Sequence, residues 1–240
     1  MIRNIAKVLV ILLATIALMG NATAATILLD TSLSPPGFYN GGGNVNSNFT
    51  VSQDGVTELG LSIILRHVGP INPGAGSNVY TIPTGTDSKG ISLWGFSFSV
   101  NTRYNGGLAV LGEFNYTLNV TDLTTGNIGP TLEPVRLIPD DSGYGLSGKT
   151  AGVTPSTEWG AQNSETPSFP GFLSEFDPNA HDLYKITLSQ QSLDGLTTLG
   201  TVSVFANATG EPVPEPATFG LIGLGLVTLA LAVRRQARRS

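Results

Sequence analysis

The sequence predicts an all-β protein: a single β-sandwich, jelly-roll-like, flanked by an N-terminal signal peptide and a C-terminal transmembrane helix. Three observations lead there. Several stretches alternate large apolar with small polar residues, the pattern of strands with one face in a core. The 240 residues include 30 glycines and 15 prolines among abundant Ser, Thr and Asn, a composition of many turns. No long stretch of helical period occurs outside the two ends of the chain.

The strands follow in order. Leu59, Leu61, Ile63 and Leu65 form one, with Ile64 between them as a residue buried on the second face. Trp94, Phe96, Phe98 and Val100 form another, with Gly95, Ser97 and Ser99 pointing the other way. Phe114, Tyr116, Leu118 and Val120 alternate with Asn and Thr; Tyr184, Ile186 and Leu188 alternate with Lys, Thr and Ser; Val202, Val204 and Ala206 close the series. Asn105-Gly106-Gly107, Thr125-Gly126-Asn127 and Asp194-Gly195 supply turn residues tolerant of positive φ. About eight to ten strands are expected in all, with a topology the pattern leaves open. Two regions read as long loops: Ser34 to Asn48, and Asp140 to Asp177 with its scattered aromatics.

At the N-terminus, Arg3 and Lys7 precede an apolar run from Val8 to Met19. Ala22, Ala24 and Ala25 then form a small-residue cleavage site, which predicts a signal peptide over residues 1–25, export through the Sec translocon and cutting by signal peptidase. The exported domain is read as residues 26–206, followed by a short linker over 207–213.

The last segment, residues 214–240, has three parts. Val213-Pro214-Glu215-Pro216-Ala217-Thr218 is a proline-bounded motif that stays extended. An uncharged apolar run follows to Val233; counted from Thr218 it has 16 residues, or roughly 24 Å of helix, short for a core of about 30 Å. Arg234, Arg235, Arg238 and Arg239 end the chain and act as a membrane stop, held on the cytoplasmic side. Glycines 220, 223 and 225 lie inside this run without the strand–turn–helix setting of a nucleotide loop, and read as small residues of a membrane helix.

Motif, helix and arginine tail together resemble the PEP-CTERM sorting signal of Gram-negative bacteria, a C-terminal region that also carries an ice-binding protein label. The resemblance covers about 28 of the 240 residues. It implies recognition and cutting by exosortase, transient residence in the inner membrane, and a destination at the cell surface or in an exopolysaccharide matrix. Phrases such as Leu93-Trp94-Gly95-Phe96-Ser97-Phe98-Ser99 and Phe176-Asp177-Pro178-Asn179-Ala180 are similar to those of exported domains that accompany this signal, and they bring no activity with them.

Candidate chemistry is sparse. Without cysteine there is no disulfide, thiolate nucleophile or zinc-thiolate site. His67 and His181 are far apart and fit no metal or base motif. Glu113, Glu133, Glu158, Glu165 and Glu175 are the acids that a glycosidase pair would draw on, and their spacing does not place two across a cleft. Asp177, Asn179 and Asp182 offer oxygens at short spacing for calcium, without an EF-hand pattern; a plain Asp-Pro-Asn turn is the simpler account, and no cofactor is expected. Trp94 belongs to a core face, whereas Trp159, in a polar loop, is the candidate for stacking on a sugar ring.

Between Thr26 and Glu215 the chain has 17 acids and six bases, a net charge of −11. A surface of that sign repels phosphate, so nucleic acid is excluded as a partner. The expected function is therefore a non-enzymatic structural or adhesion protein of the cell surface, exopolysaccharide or biofilm, sorted by exosortase. A secreted glycan-binding module or glycan-active enzyme is the alternative.

Overall fold

The computed structural model describes residues 25–38, 46–138 and 141–209. The expected signal peptide residues Ala22 and Ala24, and the whole C-terminal segment from residue 210 onward, lie outside the described residues. Twelve strands occur among the described residues: β1 (Thr26–Thr31), β2 (Phe49–Asp54), β3 (Thr57–Leu65), β4 (Gly69–Pro70), β5 (Val79–Ile82), β6 (Trp94–Asn101), β7 (Phe114–Asp122), β8 (Ser142–Gly145), β9 (Gly148–Ala151), β10 (Gly160–Glu165), β11 (Leu183–Ser192) and β12 (Thr198–Ala208).

They form two sheets. The larger runs β1-β2-β3-β6-β10-β8-β9, with the short β4 also paired to β3; the smaller runs β5-β12-β11-β7. Every pairing is antiparallel except β5 with β12. The two-sheet, nearly all-β arrangement is the predicted sandwich class. Its unequal sheets and parallel pair differ from the even, antiparallel double sheet of a jelly roll.

The alternating strands build the core. Leu59, Leu61 and Ile63 of β3 stand beside Val100, Phe98 and Phe96 of β6 and face the smaller sheet. That sheet answers with Tyr116, Leu118 and Val120, Ile186 and Leu188, and Val202, Val204 and Ala206, all buried. On β7, β11 and β12 the other face is half-exposed and largely polar, with Phe205 its apolar exception in mid-strand.

On β6 the alternation has another outcome. Ser97 and Ser99 are buried like Phe96 and Phe98, with which they alternate. The segment from Ser32 to Phe38 folds over this outer face: Leu33 packs against Gly60, where an added Cβ would stand 2.4 Å from its Cδ2. Leu33, Phe38, Phe49 and Val51 make a second, smaller core there. Polar groups pin the flap. Glu58 accepts hydrogen bonds from the Ser34 N–H, the Ser34 hydroxyl and Gln53 Nε2 at 2.7–2.9 Å. Gln162 Nε2 donates to the Gly37 carbonyl at 2.7 Å and to Ser99 Oγ at 3.2 Å. The flap therefore needs small polar residues beneath it, and the serines of β6 supply them.

The stretch from Asp140 to Asp177, expected as one long loop, contains β8, β9 and β10. Its aromatics are largely core. Phe172 meets Phe96 edge-on at 5.4 Å, and Phe176 packs on Trp94 and Tyr184 at 6.0 and 5.4 Å. They cover inner surface of the wide sheet that the four-stranded sheet leaves open. The predicted turns at Asn105-Gly106, Gly126 and Gly195 all carry positive φ.

Register fixes two ends. The β2–β3 and β8–β9 hairpins, the β6–β7 connection and the start of β10 share one end, because Thr57 pairs with Asp54, Asn101 pairs with both Glu58 and Gly160, and Gly160 pairs with Tyr144. The β11–β12 hairpin joins them, with Gln190 Nε2 reaching Thr57 Oγ1 at 3.4 Å. This is the hairpin end. The opposite, exit end holds the finish of β12, where the Ala208 N–H donates to the Asp182 carbonyl at 2.9 Å. β12 thus carries two residues, Asn207 and Ala208, of the stretch read as linker.

Beyond β7 the chain returns along its free edge, bridging at Thr121–Ile128 and Leu118–Leu132, into a short helix Pro134–Leu137. Glu133, just before this helix, has both carboxylate oxygens buried without a hydrogen-bond partner. Desolvation raises its pKa above the ordinary 4.5, and Arg136 offsets only part of that. A folded-state pKa above the unfolded one stabilises the protein below about 4.5, and the contribution is lost as pH rises through the raised value. Glu133→Gln keeps the protonated shape. It is expected to raise the melting temperature by about 2–4 °C near pH 8 and to leave it unchanged near pH 4, read by thermal unfolding at both values.

A second outcome follows from close packing at the centre of the wide sheet. A Cβ on Gly95 would stand 2.2 Å from the Glu165 backbone carbonyl oxygen, whereas one on Gly200 would meet Leu59 at an ordinary 3.6 Å. Gly95→Ala is expected to cost about 1–3 kcal/mol and Gly200→Ala less than about 0.5, measured by denaturant midpoints.

Candidate functional site

The domain delivers its C-terminal segment from one place. β12 is the longest strand among the described residues, buried along one face, and its partners β11 and β5 hold it to its last residues: the Thr209 N–H still donates to the Ile82 carbonyl at 3.1 Å. The chain therefore leaves from a fixed point at the exit end. The sorting-motif residues Val213 to Thr218 and the arginines 234, 235, 238 and 239 lie outside the described residues. At the other terminus, Ala25 directly precedes β1, whose first residue pairs with Gln53 at the hairpin end. The two termini of the exported domain thus lie at opposite ends of the sandwich.

Trp159, the residue expected to stack on a sugar ring, is half-buried. It precedes β10 and is held by its backbone, the N–H donating to the Tyr144 carbonyl at 3.1 Å and the carbonyl accepting from Thr102 at 2.8 Å. The Arg103 guanidinium lies 4.2 Å from the ring centroid, and Tyr144 meets the ring edge-on at 6.4 Å. One face is thus covered by a cation and the ring is half-buried. Trp94 is buried in the core, as expected.

Of the oxygen ligands, Asp177 and Asn179 come together as a turn, with Asp177 Oδ1 accepting from the Asn179 N–H at 2.9 Å. Asp182 lies nearer Asp122: its pKa is raised, first by desolvation and then by the Asp122 charge. Asp122 is itself engaged by Thr124 and Thr125 at 2.7–3.1 Å. Tyr184 Oη sits between Asp177 and Asp182, at 3.4 Å from the Asp177 carbonyl and 3.5 Å from Asp182 Oδ2, and its pKa is raised by burial and by these carboxylates. Among the described residues no three His, Cys, Asp or Glu side chains are placed to hold a metal ion.

The carboxylates scatter. Glu113 caps its own turn, accepting from the Val110 N–H at 3.0 Å. Glu158 is buried, accepting from Thr150 Oγ1 and from the Thr154 N–H at 2.6 Å. Glu165 is buried on Asn163, whose Nδ2 also reaches Asp141. Glu175 is exposed, as are His67 and His181. A groove of about 380 Å³ between the helix Pro134–Leu137 and the Gly152–Pro155 segment is lined by Val135, Arg136, Ile138, Gly152, Val153 and Pro155, with Arg136 the one ionisable side chain among the described residues that line it. Its guanidinium donates to Asn115 Oδ1 at 3.1 Å. The described lining of the groove holds no acid–base pair. Sequence reasoning missed it because its lining is short, ordinary segments far apart in the chain.

No helix among the described residues is long and apolar enough to cross a membrane. Neither the curated proteins nor the solved structures contain a match to the chain. A family model for the PEP-CTERM protein-sorting motif matches residues 212–236. That span runs from the proline-bounded motif through the apolar segment into the arginine tail, and it implies exosortase as the processing partner and an extracellular destination. The chain thus carries a PEP-CTERM protein-sorting motif at residues 212–236, following a two-sheet β-domain.

Proposed function

We propose that this protein is a structural or adhesion component of the cell surface or of an exopolysaccharide matrix, acting without catalysis. The sorting motif at residues 212–236 is the observation that carries this reading. The chain would cross the inner membrane through the Sec translocon, lose residues 1–25 to signal peptidase, and pause in the membrane by its C-terminal helix. Exosortase would then cut near Pro214-Glu215-Pro216 and hand the β-domain to the exterior. An exported charge of −11 suits a soluble domain that stays dispersed outside the membrane.

The fold supports a scaffold more than a glycan site. Trp94 is buried, Trp159 has Arg103 over one face, and the acids that a glycosidase would pair are each engaged in a local turn, buried, or isolated on the surface. A glycan-binding or glycan-cleaving reading would need an open aromatic row beside a carboxylate.

The test is the intact mass of the mature protein and its cell fraction, in the native host and in a strain lacking exosortase. The expected result is loss of the tail, with material outside the inner membrane, only where exosortase is present. Replacing Pro214, Glu215 and Pro216 by alanine should reproduce the mutant-strain mass in the normal host. A full C-terminus in both strains would mean a permanently tail-anchored inner-membrane protein and would remove the basis of the matrix reading.

A further inference from the structure

The hairpin end carries a set of exposed aliphatic side chains that the core does not use. Val56 tips the β2–β3 hairpin, Leu108 the β6–β7 connection, Leu146 the β8–β9 hairpin, and Leu193 and Leu196 the β11–β12 hairpin. Leu146, Leu108 and Leu196 are 91, 85 and 85 % exposed, the three most exposed large apolar side chains among the described residues, and all three are at this one end. Both sheets contribute, and the tips are tied at their bases. A Cβ on Gly107 would stand 2.8 Å from Val56, which places the Leu108 tip against the β2–β3 turn. Small or polar residues flank each leucine (Gly107, Gly145, Ser147, Asp194, Gly195, Thr197), so each projects singly.

Behind the tips stands a different layer. Tyr104 and Trp159 are half-buried, and Tyr104 Oη donates to Gln53 Oε1 at 2.9 Å. Arg103 lies on the Trp159 ring, and Lys149 is exposed one residue into β9 from the Leu146 turn. Aliphatic tips with amphipathic aromatics and cations at their bases, Arg103 donating to the Leu108 carbonyl at 3.3 Å, combine side chains that enter hydrocarbon with ones that suit an interface. Separate projecting tips suit a deformable phase. A protein partner would have to offer a pocket for each, whereas acyl chains close around them.

The chain path gives the direction. β1 enters at the hairpin end, and β12 runs its 11 residues from the hairpin end to the exit end, a span of about 36 Å. Nine residues separate Thr209 from the apolar run that begins at Phe219, reaching at most about 30 Å. With the tail held in one bilayer and the domain upright on it, the leucines face away from that bilayer.

We infer that the hairpin end is a lipid-docking surface, in which Leu108, Leu146 and Leu196 insert into the interface of a bilayer other than the one holding the tail. The net charge of −11 removes any general attraction to anionic headgroups, so binding is apolar in origin and weakly dependent on salt. This orientation rests on the sorting reading; the chemistry of the tips does not, and its test uses no exosortase.

The test takes the full chain in phosphatidylcholine nanodiscs and adds phosphatidylcholine vesicles with brominated acyl chains. The protein has two tryptophans; Trp94 is 1 % exposed, and Trp159 stands just behind the tips, so quenching reports the hairpin end. Wild type should co-float with the vesicles and lose Trp159 fluorescence, with little change between low and high salt. The triple variant Leu108→Ser, Leu146→Ser, Leu196→Ser should bind at least about 100-fold more weakly, with an unchanged thermal unfolding curve. Ile128→Ser, at the exit end and 69 % exposed, should bind like wild type. Absence of quenching in the wild type, or equal quenching in the triple variant, would overturn the inference. So would concentration-dependent self-association without vesicles that the triple variant abolishes, which would make the hairpin end a contact between copies of this chain.

Discussion

The structure depends on a mismatch in width. A four-stranded sheet faces one of eight strands, so the inner face of β3, β6 and β10 is wider than the sheet that must cover it. Apolar surface left wet at the centre of β6 would cost roughly 25 cal/mol per Å². The chain resolves this with parts that are not strands. Phe172, Leu173 and Phe176 come from a connection, yet they sit in the same cluster as Phe96, Trp94 and Tyr184. Where even these run out, β10 turns polar: Asn163 and Glu165 share a face with Ala161, and Asn163 hydrogen-bonds both Glu165 and Asp141. The outer face of the same strands is closed by the flap from Ser32 to Phe38. The centre of the wide sheet is thus buried on both sides, and β6 is its least tolerant strand.

How legible this was depended on the physics of each element. The strands of the narrow sheet have one wet face, so alternation was written plainly in β7, β11 and β12. β3 and β6 were also legible, because their large residues kept the period; that Ser97 and Ser99 would be buried was not, since serine looks the same beneath a flap as in water. β8, β9 and β10 were read as loop. Ser142-Gly143-Tyr144-Gly145 of β8 and Gly160-Ala161-Gln162-Asn163-Ser164-Glu165 of β10 bury through close approach rather than through apolar bulk, and Gly148-Lys149-Thr150-Ala151 of β9 is an edge strand that stays largely exposed. Gly160 must lack a side chain because the Tyr144 ring occupies the place of its Cβ. Such a constraint is tertiary and leaves only a glycine in the sequence.

The same distinction governs function. A sorting signal is read by membrane machinery as a linear object, so proline motif, apolar run and arginines can be recognised without a fold, and the family model matches that span. Trp159 is the opposite case. Its polar neighbours suggested display, but a half-buried ring under Arg103 arises from pairings between β6, β8 and β10 that no local pattern records.

The domain's two ends are also chemically different, and the topology makes them so. Hairpins need tight turns, and the glycines that permit them leave the intervening residue standing clear of the sheet. Leu146 between Gly145 and Gly148, and Leu196 after Gly195, are exposed because their neighbours have no bulk to cover them. A turn position places no demand for an aliphatic residue, and exposure of a leucine there is a solubility cost with no return in stability. The exit end bears the opposite constraint. It must present an uninterrupted β12 whose last residues are still paired, so that the chain leaves in one direction. An exported domain with its tether at one end and unpaid-for leucines at the other is polarised along its long axis, and that polarity follows from strand order alone.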